Sequence, residues 1–374
     1  MEHLFFYGTL CHLPLLRAVL GRAVSAELAV LPDHAVFWAQ GQAFPLIQAV
    51  PGGRAGGVLL RDPTPQDVAR LDFYEGGFGY DRREVAVLAP GGAVAAQVYF
   101  PPDGQGQPGP EWSLDAWAAR WGATVVATAG DFMALMGVRS ATEARARYHQ
   151  MLVRGASRVR AATPDPTGRR RHAQSDDVVV EGFRLSYADF FVVEDYSLRY
   201  RRFDGSLSAP VSRAAFVSCD AVTVLPYDPL RDRVLLIEQF RVGAMARGDP
   251  QPWLLEAIAG RIDPGESPQV CARREAVEEA GLSLGDLLPV AGYYPSPGVK
   301  TEYLYSYVAL CDLPDGVAGT FGLAAEVEDI RGHLMAFDDF MALVASGEIN
   351  NAPLLLSALW LARERDRLRA VSSP

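Results

Sequence analysis

The segment Gly260–Leu282, GRIDPGESPQVCARREAVEEAGL, constrains this chain more than any other. Ser267 followed by Pro268 is a helix start. The hydroxyl can accept from a free amide of the first turn, and the proline fixes the backbone where no N–H is needed. Gly281 is a stop, because a helix that closes in the left-handed conformation favours glycine. Between them Glu275, Glu278 and Glu279 stand at i, i+3 and i+4, so their carboxylates leave one face of the helix. Like charges at that spacing destabilise an isolated helix. They become an asset beside a hard cation, since magnesium takes carboxylate oxygens together with water and phosphate oxygens. Three glutamates alone fit a solvated acidic face better, so the decision rests on the longer pattern.

That pattern is a glycine, five residues, a glutamate, seven residues, Arg-Glu, two residues, Glu-Glu, one residue, and a glycine with an aliphatic after it. Gly260, Glu266, Arg274, Glu275, Glu278, Glu279, Gly281 and Leu282 fill every fixed position. The segment resembles the box of the Nudix hydrolases. The resemblance implies Glu275 and Glu279 as metal ligands, Glu278 as a further candidate, and the backbone carbonyl of Ala259 as another ligand. It implies Glu266 and Arg274 as a supporting ion pair. The expected cofactor is Mg²⁺, with Mn²⁺ as an alternative. The expected reaction is water attacking a diphosphate. The ion neutralises the phosphate oxygens and acidifies its bound water, and a carboxylate outside the box orients or deprotonates that water.

The surroundings of the box bear on substrate. LLIEQFRVGAM and PWLLEAIAG precede it, and SPGVKTE and EVEDIRGH follow it. These resemble segments of bacterial ADP-ribose pyrophosphatases, including Pro297 and Gly298, with Pro297 sixteen positions past Gly281. By that resemblance Glu326 is the catalytic base and Glu328 an additional metal ligand. Arg241 and Arg213 hold the diphosphate and the adenosine end, a role that suits a forked guanidinium. For Arg213 an ordinary surface arginine is an equal reading. Glu256 either reaches the site or caps its strand. Trp253 packs near the site or in the core. The implied products are AMP and ribose 5-phosphate. Another nucleoside diphosphate sugar, such as GDP-mannose, is the rival substrate, and a non-hydrolysing ADP-ribose sensor is the rival class. The relatives' habit of exchanging strands ahead of the box implies a homodimer.

The other half of the chain carries a different signal. FFYGTL, Phe5–Leu10, sets a turn straight after a strand, and exposed amides in such a turn can hold an anionic group. LDFYEGGFGYDRREV follows at Leu71–Val85. Together they resemble the γ-glutamylcyclotransferase (AIG2-like) family. The resemblance implies that Tyr7, Gly8, Thr9 and Leu10 hold a γ-glutamyl group, and that Glu75 moves protons during closure to 5-oxoproline. Tyr80 and Arg82 match the Tyr-x-Arg that follows. A binding or dimerisation module without turnover is the other reading of this half. The pairing of the two halves resembles tellurite-resistance-type fusion proteins.

Length and composition set the frame. With 374 residues and 49% hydrophobic content, two domains can each bury a core. A net charge of −10 disfavours a nucleic-acid partner. Cys11, Cys219, Cys271 and Cys311 form no CxxC pair and read as reduced core thiols of a cytoplasmic protein. The N-terminus reads as a first strand, and no apolar run is long enough to span a membrane. The expected organisation is a cyclotransferase-like domain over 1–105, a helical extension over 106–162, a linker over 163–177 and a Nudix domain over 178–374. The first domain is expected as a mixed α/β, barrel-like unit with Pro101–Pro110 as a loop, and the second as an α/β/α sandwich. Within the second, Ala221–Leu225 and Val234–Gln239 read as a hairpin, and helices are expected over Asp338–Ser346 and from Ala352 to about Arg369.

Overall fold

The computed structural model describes residues 3–102, 104, 106–163, 166–323 and 327–372. The chain divides into two compact units, Met1–His172 and Ala173–Pro374, and the division falls within the polar stretch 163–177.

The first unit runs β1 (Leu4–Phe6), α1 (Leu13–Leu20), β2 (Glu27–Ala39), β3 (Pro45–Leu60), α2 (Pro65–Gly76), β4 (Asp81–Ala89), β5 (Gly92–Phe100), β6 (Pro108–Glu111), α3 (Leu114–Trp117), α4 (Ala123–Met133), α5 (Ala141–Ala146) and α6 (Tyr148–Ala161). Strands pair in the order β3-β1-β5-β4-β2, and β2 also pairs with β3, so five strands close into a barrel. Phe5, Leu31, Leu59, Val87 and Val98 point inward and are almost fully buried. β6 adds to the outside of β2, so the stretch Pro101–Pro110 expected as a loop ends in a short edge strand. Pro108 and Pro110 lack donors, which an edge tolerates because one side of the strand needs none.

α2 starts where the sequence says it should. Thr64 accepts from the Asp67 amide at 3.1 Å and Asp67 accepts from the Thr64 amide at 2.8 Å, a reciprocal capping box. Arg22 clamps Asp67 through Nε at 2.9 Å. The helix ends against α4 and α5. A Cβ on Gly77 would lie 2.9 Å from Phe132 Cζ and 3.0 Å from the Ala141 carbonyl, so only glycine permits that approach.

The second unit runs β7 (Val178–Ala188), β8 (Val192–Tyr200), β9 (Val211–Val217), β10 (Ala221–Asp228), β11 (Arg233–Phe240), α7 (Val242–Arg247), β12 (Trp253–Glu256), β13 (Ile258–Arg261), α8 (Pro268–Ala280), β14 (Leu287–Tyr293), β15 (Leu304–Leu310), β16 (Thr320–Phe321), β17 (Ile330–Ala336), α9 (Phe337–Ser346) and α10 (Ala352–Ser372). β7, β8 and β9 form a separate three-stranded sheet. The main sheet runs β14-β15-β10-β11-β17-β16, with β12 on β11 and β13 on β10. β10 and β15 are parallel.

Alternation along the central strands divides the core. Val222, Val224, Leu235 and Ile237 pack with Cys271, Ala272, Ala276 and Ala280 of α8. Leu225, Tyr227, Val234 and Leu236 pack with Phe340, Leu354, Ala358 and Leu361 of α9 and α10. Both faces of the sheet are covered, so its strands read as unbroken apolar runs. The unit is an α/β/α sandwich, and the four cysteines of the chain are free thiols. No helix among the described residues is long and apolar enough to cross a membrane.

Candidate active site

α8 is built as its sequence demands. The Ser267 hydroxyl accepts from the Val270 amide at 3.2 Å, and Gly281 closes the helix at φ 62°. Its small residues face the sheet, which lets the helix pack close to β13. A Cβ on Gly260 would fall 1.8 Å from Glu275 Oε1, so Glu275 occupies the space that any larger residue at 260 would take. One turn on, Glu279 is 3% exposed and accepts from the Ala259 amide at 2.9 Å. Ala259, expected as a carbonyl ligand, thus sits against Glu279 through its backbone.

Arg274 organises the rest. Its Nε lies 3.0 Å from Glu266 Oε1, and its Nη1 lies 2.7 Å from Glu275 Oε1 and 2.9 Å from Glu278 Oε2. Arg274 therefore pairs with more than Glu266, a role its i+4 spacing to Glu278 makes readable in the sequence. Burial pushes Glu275 up to about 7, with Glu278 and Glu328 adding to the rise and Arg274 opposing it. Burial also pushes Glu279 up to about 8; the Ala259 amide and Arg241 oppose this, while Glu275 and Glu328 reinforce it. Glu328, on the loop before β17, thus shares one electrostatic field with both glutamates of the helix. Its neighbour Val327 holds φ 57°, a left-handed conformation that a β-branched residue rarely adopts. Glu326, the expected base, lies outside the described residues.

Carboxylates and a backbone carbonyl are hard oxygen donors, the kind Mg²⁺ and Mn²⁺ accept. Among the described residues no three acids converge closely enough to enclose an ion unaided. Magnesium characteristically uses one or two carboxylates, with water and substrate phosphate completing its shell. Half-buried Glu275 and buried Glu279, both raised by burial despite Arg274 and Arg241, fit an ion that is held jointly with a diphosphate.

The expected substrate residues are not all brought to this point. Arg241 Nε lies 2.7 Å from Glu256 Oε2, and the arginine's charge reaches Glu279. Pro297 and Gly298 are exposed in a turn in which the Ser296 carbonyl accepts from the Lys300 amide at 2.9 Å. Arg213 is exposed on β9 and donates to the Ser212 carbonyl at 2.9 Å. Trp253 is 52% exposed beside Phe240, which rules out a place in the core.

In the first unit, the turn after β1 carries Tyr7 and Gly8 into a 3₁₀ turn over Thr9–Cys11 that includes Leu10. Tyr7 is buried, and its hydroxyl has no hydrogen-bond partner among the described residues. Burial pushes this phenol up, and the charges of Tyr80, Glu75 and Cys11 push it further. Glu75, in the last turn of α2, is raised to about 7 by burial. Its negative charge also raises Tyr74, Tyr80, Tyr99 and Tyr148. An uncompensated carboxyl ringed by phenols is a proton-transfer site in waiting. Arg82 instead turns to Asp72, 2.9 Å away, which also accepts from Tyr99 at 2.7 Å. The sequence reading missed Tyr74, Tyr99 and Tyr148. Tyr148 stands on α6, and nothing local ties it to the motif around Glu75.

The NUDIX domain model matches residues 218–356, and the model described as gamma-glutamyl cyclotransferase, AIG2-like, matches residues 4–119. A protein of Escherichia coli strain K12 named ADP-ribose pyrophosphatase is 39% identical over 194 residues, covering 52% of this chain and 92% of that protein. Its namesake in Haemophilus influenzae is 32% identical over 193 residues, covering 51% and 88% respectively. A GDP-mannose pyrophosphatase of an Enterobacter species is 30% identical over 173 residues, covering 46% and 88%.

Proposed function

The chain belongs to the Nudix family and carries a γ-glutamylcyclotransferase-like domain ahead of its Nudix domain, and from that premise we propose that it hydrolyses ADP-ribose to AMP and ribose 5-phosphate with Mg²⁺. The observation that carries the reading is the pair Glu275, half-buried, and Glu279, buried, set against Gly260's bare backbone and the Ala259 amide. These two, with Glu278, Glu328 and the Ala259 carbonyl, would hold an ion whose shell substrate phosphate and water complete. When bound, such an ion would supply charge neutralisation for the diphosphate and a more acidic water. Arg274 fixes Glu275 and Glu278 in place. Arg241, tethered by Glu256, takes a phosphate oxygen. Glu326 orients the attacking water and accepts its proton. ADP-ribose is preferred to GDP-mannose because the more similar relatives carry the ADP-ribose name. The test is a hydrolysis panel of ADP-ribose, GDP-mannose and NADH in Mg²⁺. Glu279→Gln is expected to cut the ADP-ribose rate by at least about 100-fold. Poor ADP-ribose turnover beside rapid GDP-mannose turnover overturns the substrate, and full activity in the variant overturns the site.

The first unit supports a second activity, carried by the unpartnered Tyr7 hydroxyl beside Glu75. In a γ-glutamyl amide the α-amine nitrogen attacks the γ-carbonyl carbon, forming the ring of 5-oxoproline, and the amide C–N bond breaks. Glu75 carries the proton from the attacking nitrogen to the leaving one. Wild type is expected to release 5-oxoproline from γ-glutamyl substrates and Glu75→Gln to release none; equal release from both removes the reading.

The protein is also expected to be a homodimer. Val178, Val180, Phe183 and Tyr187 of β7 are each more than half exposed, an apolar strand that suits a second copy. A sedimentation mass of one chain at micromolar concentration would exclude it.

A further inference from the structure

The helices that follow the matched part of the cyclotransferase model pack into the core of the first unit. Phe132 of α4 is fully buried, and its ring lies 5.4 Å from both Phe73 and Tyr74 of α2. Tyr148, at the start of α6, is hydrogen-bonded through its hydroxyl to Tyr74 and feels the charge of Glu75. Its ring meets Phe78 edge-on at 5.0 Å. Over these two rings lies Arg145 of α5, its guanidinium carbon 5.0 Å from the centre of Phe78 and 5.5 Å from that of Tyr148. Arg145 is exposed, and among the described residues no carboxylate pairs with it.

A guanidinium held within cation–π range of two perpendicular rings is fixed by them and still has N–H donors to offer. Those donors suit a planar carboxylate, which they can bind through two parallel hydrogen bonds. Tyr148 links this arginine to the site, since it lies within reach of the charge of Glu75. The turn at Tyr7–Leu10 with Glu75 takes the glutamyl group, and the Tyr148–Arg145 rim stands on the side supplied by the added helices. We propose that Arg145 is a specificity-determining residue that binds the carboxylate of the leaving group, so that the first unit selects γ-glutamyl amino acids over γ-glutamyl amines.

This rests on the cyclotransferase reading for its ligand class, but it can be tested without turnover. The full-length Glu75→Gln protein, with Arg145 intact or replaced by glutamine, is titrated calorimetrically with γ-glutamyl-alanine and with γ-glutamyl-ethylamine. The two ligands differ in the carboxylate alone, since ethylamine is alanine with a hydrogen in its place. With Arg145 present the alanine adduct is expected to bind about tenfold more tightly, a difference typical of one charge-assisted pair. Arg145→Gln is expected to erase that preference, and Arg145→Lys to restore part of it. A preference that survives Arg145→Gln, an equal loss for both ligands, or no binding of either overturns the proposal. Turnover by the wild type is measured separately. Its absence removes the catalytic reading while the binding preference still decides the role of Arg145.

Discussion

Single residues decide how the acidic helix works. Gly260 is an example: it contributes no side chain, and its value is the volume it leaves to Glu275. In Gly260→Ala the new methyl would compete with a carboxylate that is the end of a flexible chain. The glutamate therefore moves and the fold survives. Misplacement of a reacting group by about 1 Å can cost on the order of 100-fold in rate. Gly260→Ala is thus expected to lose ADP-ribose hydrolysis by roughly that factor while its far-ultraviolet circular dichroism and melting temperature stay near wild type. A variant that keeps both activity and fold would show that Glu275 needs no such space. Glu75 follows the same logic by other means, since burial among phenols raises its carboxyl where a glutamate in a surface turn would be ionised.

Elements succeed or fail at their ends. α2 positions Glu75 in its last turn, and its first turn is fixed by Thr64, Asp67 and Arg22. Asp67 is held down to about 2, first by Arg22, whose effect outweighs the cost of burial, and further by Thr64. A carboxyl lowered in the folded state stabilises it above the unfolded value, near pH 4, and loses that contribution as pH falls toward 2. Asp67→Asn is expected to lose about 1 kcal/mol at neutral pH, in line with a helix cap. The gap to wild type in urea unfolding should be constant above about pH 5 and close as pH falls toward 2. A gap that widens on acidification would mean Asp67 is not held as an anion. At the other end of α2, glycine lets α4 and α5 approach, and Tyr148 of α6 comes within reach of the charge of Glu75 with Arg145 over its ring.

The whole molecule is two units with separate cores, joined by a stretch in which Arg169, Arg170 and Arg171 are exposed and outside helix and strand. Brief trypsin treatment is expected to cut there first, giving two folded fragments, with ADP-ribose hydrolysis retained by the C-terminal one. Initial cleavage elsewhere, or loss of hydrolysis on cutting at these arginines, would show that the units depend on each other. Much of this was legible in the residues. The helix from Ser267 to Gly281, its acid spacing, the hairpin of β10 and β11 and the closing helices all rest on local rules of capping, turn and alternation. β2 and the first part of β3 gave no such signal, because Pro32, Pro51, Gly52 and Gly53 interrupt the alternation; the barrel pairs them regardless, with a bulge between Pro32 and His34. The sequence by itself determined which groups carry charge and where helices begin and end, since those depend on neighbours a few positions away. Only the tertiary structure decided which charges are buried together and which aromatic rings surround Glu75, because burial and long-range approach are set by packing between segments far apart in the chain.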